Sequence, residues 1–296
     1  MVWLLFMTAI PIAYSKQFDH LKSLEYLKPD SSENTNNNFP NNITKNITNT
    51  NYLEKSKFWA RNLFSDVRCD FSIFFGKENL PYLAGVLLLD AFMANTGVDR
   101  SLRNFWQKDI RTGQTDAFFK APSAIGRFNY VAIYLGTMTI GYWKGEPFET
   151  NAFYTWGYRS LRTLFLVGIQ ESFYSWALSN GRPSFHEGSK WQFFKRNGGK
   201  AGCSGHAFNG AIPFLTAAMM SEEPVLRYGL YVASVLPALS RINRDHHYPS
   251  QVMLGWALAY LSAKAIYNSD NSCEESVKIC VVPRKNGAML HASLQY

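Results

Sequence analysis

The sequence predicts an all-α protein, a bundle of six or more helices. Three observations carry that expectation. From about residue 55 to about 268, long apolar stretches recur between polar loops. Apolar residues within them fall at helical spacing: Leu161, Leu164, Phe165 and Gly168 share a face with Ser172. Alternating apolar and polar residues, the mark of a half-buried strand, are nearly absent. The candidate helices are 80–95, 126–142, 158–179, 206–220, 224–240 and 249–267.

The elements follow in chain order. Residues Val2 to Tyr14 are nearly all apolar, and Ala13-Tyr14-Ser15 offers small residues where a signal peptidase reads. No basic residue precedes the run. Residues 1–15 therefore read as an export signal, with an uncleaved anchor or a core segment as the alternatives. Export places the protein in the periplasm or outside the cell. Residues 16–55 read as an Asn-rich linker, because Asn favours turns over helices and strands. Two sequons, Asn42-Ile43-Thr44 and Asn46-Ile47-Thr48, arise easily by chance in such sequence. The helical domain occupies 56–268, and 269–296 reads as a polar, irregular tail. Cys273 and Cys280 in that tail would close a small disulfide loop in an exported protein, with free thiols as the alternative. Cys69 has no evident partner.

Composition narrows the class further. A hydrophobic share of 47% excludes bulk disorder, and four Cys in 296 residues exclude a disulfide-built miniprotein. Asp90, Glu171 and Arg227 interrupt three of the apolar stretches. The uncharged run Phe128 to Trp143 is shorter than the ~20 residues a membrane span requires. With a mean hydropathy of −0.18, a soluble or peripherally membrane-bound domain is favoured over a polytopic one. Met219-Met220 and the many aromatics read as core filling. The net charge of +8 points to an anionic partner: nucleic acid, a membrane surface or a phosphate ester.

Three short segments concentrate the chemistry. In Asn180-Gly181-Arg182-Pro183, Pro183 ends a helix and turns Arg182 into a loop. That loop carries Lys190, Lys195, Arg196 and Lys200, an electropositive rim or simply a solvated basic loop. In Cys203-Ser204-Gly205-His206, glycine-rich sequence runs into a helix. Ser204 stands at the N-cap, and the free backbone N–H groups of the first turn suit an anion. The third segment is Ser240-Arg241, followed after five residues by His247 and then Tyr248-Pro249-Ser250-Gln251. Arg241 offers a planar fork for a phosphate, and His247 a nucleophile or base.

In order and spacing these blocks resemble the signature of the type 2 phosphatidic acid phosphatase superfamily, which also holds class A acid phosphatases and vanadium haloperoxidases. Its pattern is Lys-x6-Arg-Pro, then Pro-Ser-Gly-His, then Ser-Arg-x5-His-x3-Asp. Arg182-Pro183, Ser204-Gly205-His206, and Ser240, Arg241 and His247 match it. The resemblance implies a helical bundle and a metal-independent phosphatase with no cofactor, acting on a phosphomonoester or lipid phosphate. Arg182, Ser204, Gly205 and Arg241 would hold the phosphoryl oxygens. His247 would form a phosphohistidine, and His206 would protonate the leaving oxygen and then activate water.

Three departures qualify the match. Ser175 stands where the pattern has Lys, so that cation is missing or comes from Lys190, Lys195 or Lys200. Cys203 replaces Pro. Gln251 replaces the Asp that orients the nucleophile, and it brings no charge; Asp245 is the nearby carboxylate that would compensate. These departures motivate an alternative, a phosphate- or phospholipid-binding module with impaired catalysis. A vanadium-dependent haloperoxidase shares the site but fits less well without the cation at 175. His246 falls outside the register and reads as structural or rim; His186 is a weaker candidate for substrate contact. Trp191, Phe193 and Phe194 would offer a lipid an apolar approach at a membrane surface, or pack the loop onto the bundle. No DNA-reading helix or RNA motif accompanies the charge, so nucleic acid is not an expected partner.

Overall fold

The computed structural model describes residues 65–127, 129–143, 151–195 and 202–272, and the backbone of 278–284 and 287–293. The expected export signal and the whole of the expected linker lie outside these residues. The helices are α1 (65–74), α2 (Leu80–Thr96), α3 (Val98–Phe105), α4 (Gly113–Phe118), α5 (Lys120–Ile125), α6 (Tyr130–Trp143), α7 (Ala152–Leu178), α8 (Gly205–Met220), α9 (Pro224–Asn243) and α10 (Pro249–Ser272).

All six expected helices are present. The three stretches not expected are α1, α3 with its π-helical continuation Trp106–Ile110, and the α4–α5 pair. Their chemistry explains the omission. α3 reads Val98-Asp99-Arg100-Ser101-Leu102-Arg103-Asn104-Phe105, and the residue it buries is Asp99. A search for apolar runs passes over such a helix.

Local signals set the ends. Pro81 opens α2 in its first turn, and Gly97, at φ 89°, closes it. Asn151 caps α7 by accepting from the backbone N–H groups of Phe153 and Tyr154. α8 is the central helix, buried along most of its length and packed on α9, α10 and α7. Trp156 from α7 reaches across to it, donating from Nε1 to the Pro213 carbonyl at 3.0 Å. Tyr134 meets the Trp156 ring edge-on at 5.3 Å, and Leu166, Ile212, Leu215, Leu254 and Leu258 fill the rest of this core.

One close approach positions the site. A Cβ on Gly255 of α10 would sit 2.6 Å from the Ser204 carbonyl oxygen. Only glycine lets α10 pass this near the start of α8.

The bundle extends past its expected end. Tyr267-Asn268-Ser269-Asp270 reads as a polar terminus, yet Ser269 and Asp270 turn inward onto Arg162 of α7. Arg162 also holds Asp70 of α1 with two donors. A buried ion-pair cluster therefore keeps α10 helical to Ser272. The expected irregular tail contains an antiparallel hairpin, β1 (Lys278–Arg284) with β2 (Gly287–Ser293), Val281 opposite Leu290. Ile279, Val281 and Val282 supply the β-branched residues that favour it. Cys69 is disulfide-bonded, which the sequence had not suggested. The side chains of Cys273 and Cys280 lie outside the described residues.

Among the described residues no single helix is long and apolar enough to cross a membrane. α2 and the stretch Val98–Ile110 pass that test only together, as a pair bent by 78°.

Candidate active site

Four segments converge: the loop after α7, the start of α8, the end of α9 and the start of α10. Ser179, at φ 47°, ends α7 in the left-handed conformation. Pro183 then forces Arg182 into an extended backbone (φ −111°, ψ 145°), as its place before proline predicts. Burial pushes the half-buried Arg182 guanidinium below its usual pKa, partly offset by the Glu171 carboxylate.

Ser204 occupies the N-cap of α8, as expected, but its side chain makes no capping hydrogen bond. It is fully buried and its Oγ has no protein partner. The Ser204 amide donates to the Gln251 carbonyl at 3.0 Å, tying α8 to α10. His206 lies in the first turn. Burial, then the Arg241 and Arg127 charges, lower its pKa to about 4.

Arg241 projects from the last turn of α9. Its pKa falls to about 10 through burial and three neighbouring cations, Arg127, Arg244 and Arg182. Gathering like charges in a buried place is unfavourable unless an anion joins them.

The unsatisfied buried atoms mark where that anion would sit. Arg182 Nε, Ser204 Oγ, His206 Nε2, and Arg241 Nε and Nη1 all lack protein partners. Such groups ordinarily find partners inside a protein. Here they belong to four of the residues that the sequence singles out.

His247 completes the site at the start of α10, 3% exposed. Its Nδ1 lies 3.0 Å from Gln251 Oε1. Two further contacts fix the orientation of that amide. Gln251 Nε2 donates to the Gly181 carbonyl at 2.7 Å, and Oε1 accepts from the Tyr248 amide at 3.2 Å. Oε1 therefore faces Nδ1 as an acceptor. His247 must carry its proton on Nδ1, which leaves the Nε2 lone pair free. Burial, with Arg182 nearby, lowers the His247 pKa to about 3. The ring is neutral at ordinary pH.

The remaining sequence candidates are placed differently. Lys190 and Lys195 are exposed; the charges acting most strongly on His206, Arg241 and His247 are arginines. Lys200 lies outside the described residues. Asp245 does not compensate for Gln251: it forms a two-pronged ion pair with Arg103 of α3. Its left-handed backbone, φ 57°, turns it off the helix path towards Arg103. His246 is half-buried and influenced by the same arginines. His186 is exposed at the end of the short 3-10 turn. Cys203 is a buried free thiol packed in the main core.

Two residues enter the site without any motif to announce them. Glu171 accepts from Ser175 Oγ at 3.1 Å, so the position expected to hold Lys is a serine bound to a carboxylate. Burial raises the Glu171 pKa, with Ser175 and Arg182 opposing. Arg127, between α5 and α6, is the other. Among the described residues no group of three or more His, Cys, Asp or Glu side chains is arranged to hold a metal ion.

The helical bundle thus gathers two histidines, a buried and a half-buried arginine and a free helix N-terminus, an arrangement whose chemistry suits an oxyanion. The family model of the PAP2 superfamily matches residues 159–273, which span all of these groups; Arg127 lies before the matched segment. Over this segment the chain is similar to the PAP2 superfamily. The fold is similar to the crystal structure described as the first transmembrane PAP2 type phosphatidylglycerolphosphate phosphatase, from Bacillus subtilis. That likeness has a TM-score of 0.48 at 17% identity and covers 69% of this chain and 96% of the other. No curated protein matches the chain significantly.

Proposed function

We propose that this protein is a phosphatase that hydrolyses a phosphomonoester, with lipid phosphates the favoured class, through a phosphohistidine. One observation carries the reading. The unpartnered polar atoms of Arg182, Ser204, His206 and Arg241 surround a histidine whose nucleophilic nitrogen is freed by Gln251. Arg182, Arg241, Ser204 and the amides of Gly205 and His206 hold the non-bridging oxygens and neutralise their charge. His247 Nε2 forms a bond to phosphorus as the bond to the leaving oxygen breaks. His206 gives that oxygen its proton. His206 then takes a proton from water, which attacks phosphorus, breaks the P–N bond and releases phosphate.

The lipid preference rests on an apolar path. Phe165, Ile169, Phe173 and Trp176 form a stripe along α7, each about half exposed, that ends beside the site. Trp176 packs on Phe194 with ring centroids 4.6 Å apart, and Phe194 adjoins Phe193. Phe193 and Phe194 remain more than half exposed, so the loop extends the stripe instead of burying it. Trp191 is the exception, donating to buried Asp90. This face suits an acyl chain held at a membrane surface.

Phosphate release from phosphatidate in mixed micelles, nucleotides and sugar phosphates tests the reading. Release is expected to persist in EDTA, to be inhibited by vanadate and to be fastest with the lipid. A second reading, binding without turnover, is favoured by the Ser175–Glu171 contact, which replaces a cation with a carboxylate. It predicts that phosphate or vanadate binds while every ester stays at background.

The pH profile follows from His206. As a general acid it must be protonated, and its free-protein pKa is about 4. Rising pH removes that proton, so kcat/KM is expected to fall on the alkaline side of an acidic optimum. A bound phosphoryl dianion raises the His206 pKa, which moves the corresponding limb of kcat to higher pH. A kcat/KM that climbs through neutrality would remove His206 from this role.

A further inference from the structure

We propose that Arg127 is a catalytic cation acting on the leaving-group side of the phosphate site. The inference rests on the phosphatase reading and adds a residue that lies outside all three motif blocks.

The geometry begins with Gly126. A Cβ there would stand 2.9 Å from the His206 carbonyl oxygen and 3.3 Å from Cδ2 of its ring. The α5–α6 connection is thus pressed flat against His206, and any larger residue would push it away. Asn209, one helical turn along α8, fastens it by donating to the Gly126 carbonyl at 3.1 Å. Residue 127 leaves this anchored point beside the ring.

Its guanidinium is exposed, and no ion pair or side-chain hydrogen bond to another described residue holds it. Its charge nevertheless acts on three groups of the site. It is the strongest charge felt by Arg241, and it also acts on His206 and His246. The charges acting on the deeper His247 are instead Arg182, Arg241 and His206. Arg182 reaches both histidines, whereas Arg127 acts more strongly than Arg182 on His206, in keeping with the Gly126 contact that sets residue 127 beside that ring. In an in-line displacement the nucleophile and the leaving oxygen occupy opposite sides of phosphorus. A cation beside the general acid meets the charge that develops on the leaving oxygen.

The placement also bears on Ser175. The chain carries no cation at that position on α7, and Arg127 approaches the same phosphate site from a different element.

The test compares wild type, Arg127→Ala and Arg127→Lys on an alkyl phosphate and on p-nitrophenyl phosphate, with thermal melts to confirm folding. Arg127→Ala is expected to lose on the order of 100-fold in kcat/KM on the alkyl ester. The loss should be clearly smaller on the nitrophenyl ester, whose leaving oxygen needs little stabilisation, and Lys should recover most of it. An unchanged rate, or an equal loss on both esters that Lys does not recover, overturns the proposal. If wild type hydrolyses no ester, the phosphatase reading fails by itself. Vanadate titration then decides the residue: weaker binding in Arg127→Ala supports the placement, and equal binding overturns it.

Discussion

His247→Ala is expected to lower phosphate release by at least about 10⁴-fold, because it removes the atom that forms the covalent intermediate. Fold and phosphate affinity should survive. Arg182, Arg241, Ser204 and the α8 N-terminus are untouched, and they carry the charge neutralisation. Two measurements separate this expectation from a general loss of structure. Rapid quenching with labelled substrate should trap a phosphoprotein in wild type and none in the variant. Phosphate titration should give similar dissociation constants for both. Activity within tenfold of wild type would mean that another group attacks phosphorus. The neutral ring is central to the expectation: with the His247 pKa at about 3 and that of His206 at about 4, the two rings hold the required states together only in a narrow acidic window between those values, until a bound phosphoryl dianion raises the His206 pKa.

Much of this arrangement was legible in the sequence, for physical reasons that particular residues display. The six long helices announce themselves because burying an apolar face requires apolar residues at helical spacing. Arg182, His206, Arg241 and His247 announce themselves because short-range geometry fixes their spacing. A proline sets the Arg182 backbone, a helix start presents His206, and a single turn separates Arg241 from His247. Groups that reach the site from distant sequence carry no such mark. Arg127 comes from a short connection whose position depends on Gly126 meeting His206, a contact between residues 80 positions apart. Glu171 reads as a charge interrupting an apolar helix, and only the fold turns it towards Ser175 and Arg182. Asp245 illustrates the converse. Its proximity in sequence suggested a partner for His247, but its left-handed backbone delivers it to Arg103. The end of α10 failed to read as helix for a related reason. Ser269 and Asp270 look like solvent-facing residues until Arg162, about 110 residues earlier, is seen to bind them.

Substitution of Gln251 is expected to have the second largest effect, and the outcome separates a fitted residue from a decayed one. Gln251 is fully buried and does three things at once. It orients His247, accepts from the Tyr248 amide and donates to the Gly181 carbonyl next to Arg182. The last contact requires a donor, which a carboxylate lacks. Gln251→Leu strands all three groups, each costing roughly 1–3 kcal/mol of stability when left unpaired in the interior. It also frees the His247 ring to take the wrong tautomer, a change worth on the order of 10³- to 10⁴-fold in rate. Gln251→Asp restores the residue of the superfamily pattern but sets a carboxylate near the Gly181 carbonyl, loosening the loop that carries Arg182. It also stabilises the imidazolium form of His247, raising that pKa. Because the nucleophile must be neutral, the acidic limb of the pH profile should move to higher pH, while the maximal rate drops below wild type. Stopped-flow phosphate detection across pH, paired with thermal melts, reads both effects. A Gln251→Asp protein faster than wild type at its optimum would show that the amide is a loss, and that the Gly181 contact has no part in holding Arg182.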